Sequence, residues 1–294
     1  MSKVKKQHFV PRFYLEHFTN SNGKISAFDI QEQNSFTTTV ENVAHKRFFY
    51  DYEPLDNLAG QQLIEKTFAQ FEGDSANLFR DLVSQLEKGS LSSHTPEQRA
   101  ELAEYIIIQQ TRTVENRIIS EQMATELERQ LLAKGATQEF IDSQGLRASE
   151  HDSKFQQLYA LLNPELEQRI RDLCDRYWVY WINTTKHNFY TSDHPVIGHI
   201  HNEINSRAYE IYFPLTPRFA VSILLKDQFP DWAKYDNMIM EIDNPESVKF
   251  NNYLILCNCN RQIFNSENDF RLAKKILKSK PELSDPNRPR VAKM

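Results

Sequence analysis

A histidine, an arginine and an aspartate in this sequence have the types and settings that phosphodiester hydrolysis requires. His8 stands among Lys3, Lys5, Lys6 and Arg12, and neighbouring cations favour the neutral imidazole, which can act as a base or ligate a metal. Asp193 lies in the turn Thr191-Ser192-Asp193-His194-Pro195. Proline pushes its predecessor into extended geometry, so the turn aims side chains off a strand end, where carboxylates serve as bases or metal ligands. Arg112 presents a fork of donors suited to a carboxylate or a phosphate. If Glu72 converges with His8, Asp193 and Arg112, the four resemble a hydrolytic site: carboxylates and imidazole for a divalent metal, arginine for the charge that develops on a phosphoryl group. The expected catalytic residues are therefore His8, Arg112 and Asp193, with Gln7, Gln109, Ser192 and His194 as binding neighbours. The metal candidates are Glu72, Asp193 and His8.

Each of these residues also has an ordinary structural use. A lone histidine commonly holds a helix through the backbone, and Asp193 or Ser192 can cap backbone N–H groups in an Asx turn. Glu65 and Glu72 share a helix face but stand about 10.5 Å apart along the axis, wide for two ligands of one ion, and such pairs usually form a solvated face. Further along, Gln109, Thr113 and Asn116 continue the line that Leu102 and Ile106 begin, so an apolar stripe turns polar halfway. Tyr105 to Ile108 is apolar all round, which predicts burial there and polar partners inside. A network from this helix to the Asp193 turn meets that need without catalysis. His187, His194, His199 and His201 are close in sequence, but their spacing fits no zinc pattern, and Cys257-x-Cys259 is too close and too apolar to complete one.

The elements that must position these groups follow from periodicity. Pro11 suits the first position of a short helix, with Val10, Tyr14 and Phe18 on one face. Lys24 to Ile30 and Ser35 to Val40 read as a hairpin. Ile64, Phe68, Phe71, Ser75, Leu78, Leu82 and Leu86 repeat at helical spacing between Gly60 and Lys88. Thr95-Pro96-Glu97-Gln98 is a capping-box start that opens a helical stretch to Leu132, before Gly135. Shorter helices are expected over 154–162 and after Asn163-Pro164. Strands are expected over 178–184, 188–191, 209–214, 219–225 and 261–265, with helices from Asn244 to Cys257 and over 267–278.

Several of these segments, taken together, resemble one family. They are Gln7-His8-Phe9-Val10-Pro11-Arg12-Phe13-Tyr14-Leu15 with Phe18, Gln109-x-x-Arg112-Thr113, Thr191-Ser192-Asp193-His194-Pro195, Phe213-Pro214-Leu215-Thr216-Pro217-Arg218 and the run Asn251 to Phe264. The combination is similar to the bacterial domain of unknown function 4238 family and covers nearly the whole chain. The resemblance implies positions worth watching and no mechanism, because the family has no settled activity. One departure is that its Gln-x-x-Arg-Thr is often followed by proline, whereas Val114 here predicts an unbroken helix.

Composition narrows the class. No run approaches the ~20 apolar residues that cross a bilayer, and the basic start, Met1 to Arg12, is followed by no apolar signal core. Cys174, Cys257 and Cys259 are too few and too poorly spaced for a disulfide scaffold, so a cytoplasmic protein with no membrane contact is expected. The seven glycines supply neither phosphate loop nor dinucleotide turn. Residues 271–294 hold eight basic side chains against two acidic ones, which leaves 27 basic against 38 acidic groups elsewhere. Any nucleic-acid contact must therefore be local, at the basic termini.

The expected fold class is α+β: a mixed or antiparallel sheet formed from N- and C-terminal strands, packed against a central helical block. Residues 1–280 make a single domain, with a strand and loop segment (1–58), a helical block (59–177) and a strand-rich segment with helices (178–280), followed by a mobile basic tail (281–294). The oligomeric state is not legible. Two functions fit: a nuclease-like phosphodiester hydrolase with a divalent metal as its cofactor, or a non-catalytic module binding nucleic acid or protein. A small-molecule hydrolase would share the cleft without a basic rim. The enzyme requires His8, Arg112 and Asp193 to share one solvent-reached cleft; polar groups paired off in a dry interior favour the module.

Overall fold

The computed structural model describes residues 3–60, 62–91, 94–204 and 206–291, without the side chains of 59, 150 and 201–208. β1 (Lys6–His8) leads into the short helix α1 (Arg12–Glu16). Pro11 stands at its N-cap, one position earlier than expected, and Val10, Tyr14 and Phe18 are fully buried. β2 (Ile25–Asp29) and β3 (Asn34–Thr38) form the antiparallel hairpin. β4 (His45–Arg47) returns to pair with β1, and α2 (Glu53–Ala59) follows.

The helical block begins with α3 (Leu63–Glu87), whose buried positions Ile64, Phe68, Ser75, Leu78, Leu82 and Leu86 keep the expected stripe. α4 (Pro96–Thr111) starts on the full capping box of Thr95 and Gln98. It does not run on to Leu132. Arg112 is its C-cap, and Thr113 is the N-cap of a second helix, α5 (Val114–Ala133). The Thr113 hydroxyl accepts the Asn116 N–H at 3.3 Å, giving an orphaned donor of the new helix a partner, so the chain breaks without proline or glycine. α6 (Gln138–Ser143), α7 (Ser153–Leu162) and α8 (Leu166–Cys174) complete the block.

The strand-rich segment contains β5 (Tyr177–Asn183), β6 (Thr191–Ser192), β7 (Ile197–Ile204), β8 (Ser206–Pro214), β9 (Phe219–Leu224) and β10 (Met238–Ile242). α9 (Pro245–Asn258), β11 (Gln262–Asn265) and α10 (Arg271–Ser279) close it. The fold is α+β, but its strands form more than one sheet. A four-stranded sheet, β3-β2-β11-β6, joins N- and C-terminal strands as expected. A five-stranded sheet, β10-β5-β9-β8-β7, is built wholly from residues after 176, and β1-β4 is a separate pair. β7 and β10 were not expected, and only Thr191 of the 188–191 segment is a strand residue.

The five-stranded sheet is buried on both faces. Alternate residues point oppositely along a strand, so Ile211 and Phe213 join one core with α1, α3 and α4, while Tyr212 joins a second beneath α9 and α10. Two arginines of the segment expected as a mobile basic tail make contacts with the helical block. Arg288 and Arg290 turn inward to the buried Glu115 on α5, with Arg290 Nε 3.0 Å from Glu115 Oε1. A buried carboxylate needs compensating charge, which is why these two arginines are not solvated; Lys293 lies outside the described residues.

Candidate functional site

β1 and the α4–α5 break bring His8 and Arg112 together. Arg112 is 1% exposed. Its Nη2 donates to the His8 carbonyl and pairs with Glu72 Oε1, each at 2.7 Å, and its Nε donates to the Tyr50 hydroxyl at 3.0 Å. The guanidinium lies over the Phe68 ring, 4.2 Å from its centre. Burial works against its charge, but the neighbouring Tyr50 and Glu72 outweigh that and hold its pKa above the ordinary value.

The His8 ring is lowered to about 4, first by burial and then by His45 and Arg12. It hydrogen-bonds the Val40 backbone, while Nε2 is buried without a partner. The bond to Val40 thus falls to the other ring nitrogen and leaves the lone pair on Nε2. Glu65, one of the pair expected to form a solvated face, is half-buried and raised to about 7 by burial, with the nearby charges of Glu72 and Asp51 adding to the shift and Arg112 opposing it. The helical periodicity of α3 carries no sign of this, because the charges that act on Glu65 include Arg112 and Asp51 from outside its own helix.

Asp193 is held by other partners. It is 3% exposed. Its Oδ1 accepts the Asn260 N–H at 2.8 Å, and its Oδ2 accepts those of Arg261 at 2.8 Å and Gln262 at 2.9 Å. Burial pushes this carboxyl up to about 7 against the pull of the three donors. The expected convergence of His8, Arg112 and Asp193 in one cleft is therefore not what the chain adopts. His8, Arg112 and Glu72 meet, and Asp193 caps the α9–β11 junction.

The expected binding residues also pair with the protein. Gln7 donates to Asp51 and accepts the Tyr50 N–H, both at 2.6 Å. Gln109 donates to the Phe9 carbonyl at 3.0 Å. The Ser192 hydroxyl makes the local Asx-type turn, donating to the His194 carbonyl at 2.8 Å and accepting its N–H at 3.1 Å. His194 Nδ1 lies 2.7 Å from the Thr113 hydroxyl, and burial lowers the ring to about 4. The Tyr14 hydroxyl donates to the Pro214 carbonyl at 2.6 Å and sits 2.7 Å from Thr191 Oγ1. The segments that carry the family resemblance are thus knitted to one another by buried hydrogen bonds.

The metal candidates do not fit a divalent ion. Both Asp193 oxygens are occupied by N–H groups, Glu72 is spent on Arg112, and among the described residues no group of three or more His, Cys, Asp or Glu could hold one. Of the histidine group, His194 is buried, His187 is exposed on a loop, and the side chain of His201 lies outside the described residues. No helix among the described residues is long and apolar enough to cross a membrane.

A family model described as "Protein of unknown function (DUF4238)" matches residues 6–269. No curated protein and no solved structure matches the chain.

Proposed function

The chain belongs to the family described as Protein of unknown function (DUF4238), and from its geometry we propose that it is a non-catalytic module that binds nucleic acid through α10. The observation that carries this reading is a stripe of exposed cations. Arg271, Lys274, Lys275 and Lys278 fall at i, i+3, i+4 and i+7, on one side of a helix whose other side buries Ala273 and Leu277. Arg271 pairs with Asp269 at 2.6 Å, so the three lysines supply the free charge. Several other basic groups near the termini are committed elsewhere: Arg12 to Glu41, Lys6 to Asn42, and Arg288 and Arg290 to Glu115. Interior polar residues fit the module in part, since Gln7, Ser192, Asp193 and His194 find partners within the fold, whereas Gln109 Oε1, Arg112 Nη1 and His8 Nε2 are buried without one.

Fluorescence anisotropy with a labelled single strand and a duplex tests this. The wild type should bind, with log affinity falling against log salt by about 0.7 per neutralised phosphate on the single strand. A Lys274→Glu/Lys278→Glu variant, altered only at exposed positions, should bind at least about tenfold more weakly. No binding at low salt, or equal binding by the variant, would sink the reading.

One observation favours a second reading, the hydrolase. His8 and Glu65 flank Arg112 with pKa values pushed in opposite directions, the pattern of a base and an acid sharing a site. His8 is neutral above about 4 and Glu65 is protonated below about 7, so hydrolysis of bis(p-nitrophenyl) phosphate should be confined between those values. Glu65→Gln should abolish the alkaline limb and lower the rate by about 100-fold. A wild type with no turnover across this range excludes it.

A further inference from the structure

Between α9, α10 and the segment joining β5 to β6 lies a groove of about 790 Å³, within the size range of small-molecule pockets. None of its lining residues belongs to the His8–Arg112 cluster. At the rim, Lys249 pairs with Glu246 at 2.7 Å and Arg271 with Asp269 at 2.6 Å. Lys186 and Lys275, both exposed, add positive charge that is in no ion pair with the described residues, against the single further acid Glu267.

The floor is built from asparagines. Asn252 is paired at both ends of its amide, accepting the Tyr190 N–H at 2.7 Å and donating to the Asn188 carbonyl at 2.9 Å. Asn265 is not. It is 2% exposed, and its Oδ1 accepts from Asn188 Nδ2 at 3.2 Å. Its own Nδ2 has no partner among the described residues, and neither has Asn188 Oδ1, although Asn188 Nδ2 also reaches Ser266. Neither atom is among the buried unpartnered polar atoms of the described residues, so both keep some exposure in the groove and stay open to a ligand. A donor beside an acceptor is also the complement of a nucleobase edge. On the wall stands Phe250, whose ring meets that of His199 in a T-shaped contact at 5.6 Å and, at 46% exposed, still has area for stacking.

We propose that this groove binds a nucleoside phosphate, with the base on Phe250, its edge against Asn188 and Asn265, and the phosphate between Lys186 and Lys275. A free mononucleotide and one unit of a single strand present the same chemistry. The strand rests on the nucleic-acid reading above; the mononucleotide does not.

Calorimetric titration of the full chain with AMP, inorganic phosphate and a short single-stranded oligonucleotide decides the matter. AMP should bind at least about tenfold more tightly than inorganic phosphate. Phe250→Ala and Lys275→Ala, at exposed positions, should each weaken AMP about fivefold or more without changing the melting temperature. Asn265→Asp, which exchanges donor for acceptor, should weaken AMP likewise; because it puts a carboxylate at a buried position, its readout is the affinity and not the melting temperature. An oligonucleotide tighter than AMP and weakened by these variants identifies the strand as the source. AMP binding no tighter than phosphate, or unaffected by the three variants, overturns the site. Oligonucleotide binding that responds to Lys274→Glu/Lys278→Glu but not to Phe250→Ala or Asn265→Asp, with no AMP binding, overturns it while leaving the α10 interface intact.

Discussion

An Arg112→Leu variant unfolds with a loss of about 3–5 kcal/mol, the range for removing one partner of a buried ion pair. Leucine keeps the helix terminus and much of the apolar stem, so the loss reports the guanidinium. Without it, the His8 carbonyl and the Tyr50 hydroxyl each lose a donor, and Glu72 loses its cation. Glu72 is 26% exposed at the side chain and regains some water, which places the effect toward the lower end. Arg112→Lys should fall between wild type and leucine, because an ammonium supplies charge without the fork. Urea unfolding of Arg112→Leu, Glu72→Gln and the double variant gives the cycle: the double should cost clearly less than the two singles together. A loss below about 1 kcal/mol for Arg112→Leu would mean that the network does not hold β1 to the helical block.

The second large effect is expected at Asp193. Three backbone N–H groups, of Asn260, Arg261 and Gln262, share its two oxygens. Asp193→Ala strands all three in a site with little water, at about 1–3 kcal/mol for each buried group left unsatisfied. The expected loss is thus about 3 kcal/mol or more. Asp193→Asn keeps one acceptor oxygen but turns an NH2 toward a donor, so it should cost less than alanine and more than nothing. The same amides give an independent readout, since their hydrogen exchange should accelerate selectively in the alanine variant. If unfolding and exchange both match the wild type, Asp193 is not the cap of the α9–β11 junction.

The helices of this protein are legible because their apolar residues recur at a period that only a helix satisfies: Ile64, Phe68, Leu78, Leu82 and Leu86 could be placed on one face without knowing what they touch. The α4–α5 break was hidden by the same periodicity. Thr113 fits the polar continuation of a stripe, and its capping role depends on a local bond to Asn116 that competes with helix hydrogen bonding. β7 was obscured by its glycine and its polar run of His199, His201, Asn202 and Glu203, and β10 by its exposed, charged surroundings. At the Asp193 turn, Ser192 does the expected local capping, whereas Asp193 caps a segment 67 to 69 positions away, and no local pattern encodes that distance. The same limit applies to Arg288 and Arg290. A run of basic residues near Pro286 and Pro289 looks solvated until Glu115, an unremarkable first-turn acid of α5, proves to be buried beneath them.

The four-stranded sheet also sets an order of events during synthesis. β2 and β3 are made early, but the partner on the other edge of β2 is β11, and the Asp29–Arg261 contact beside it joins positions 232 apart. A ribosome delivering the chain from its N-terminus leaves β2, fully buried in the finished sheet, as an open edge for most of translation. Glu115 likewise waits for Arg288 and Arg290 before its charge is matched. Closure of this sheet at β2 therefore waits until β11 has been made, well after the helical block that lies between them in the chain.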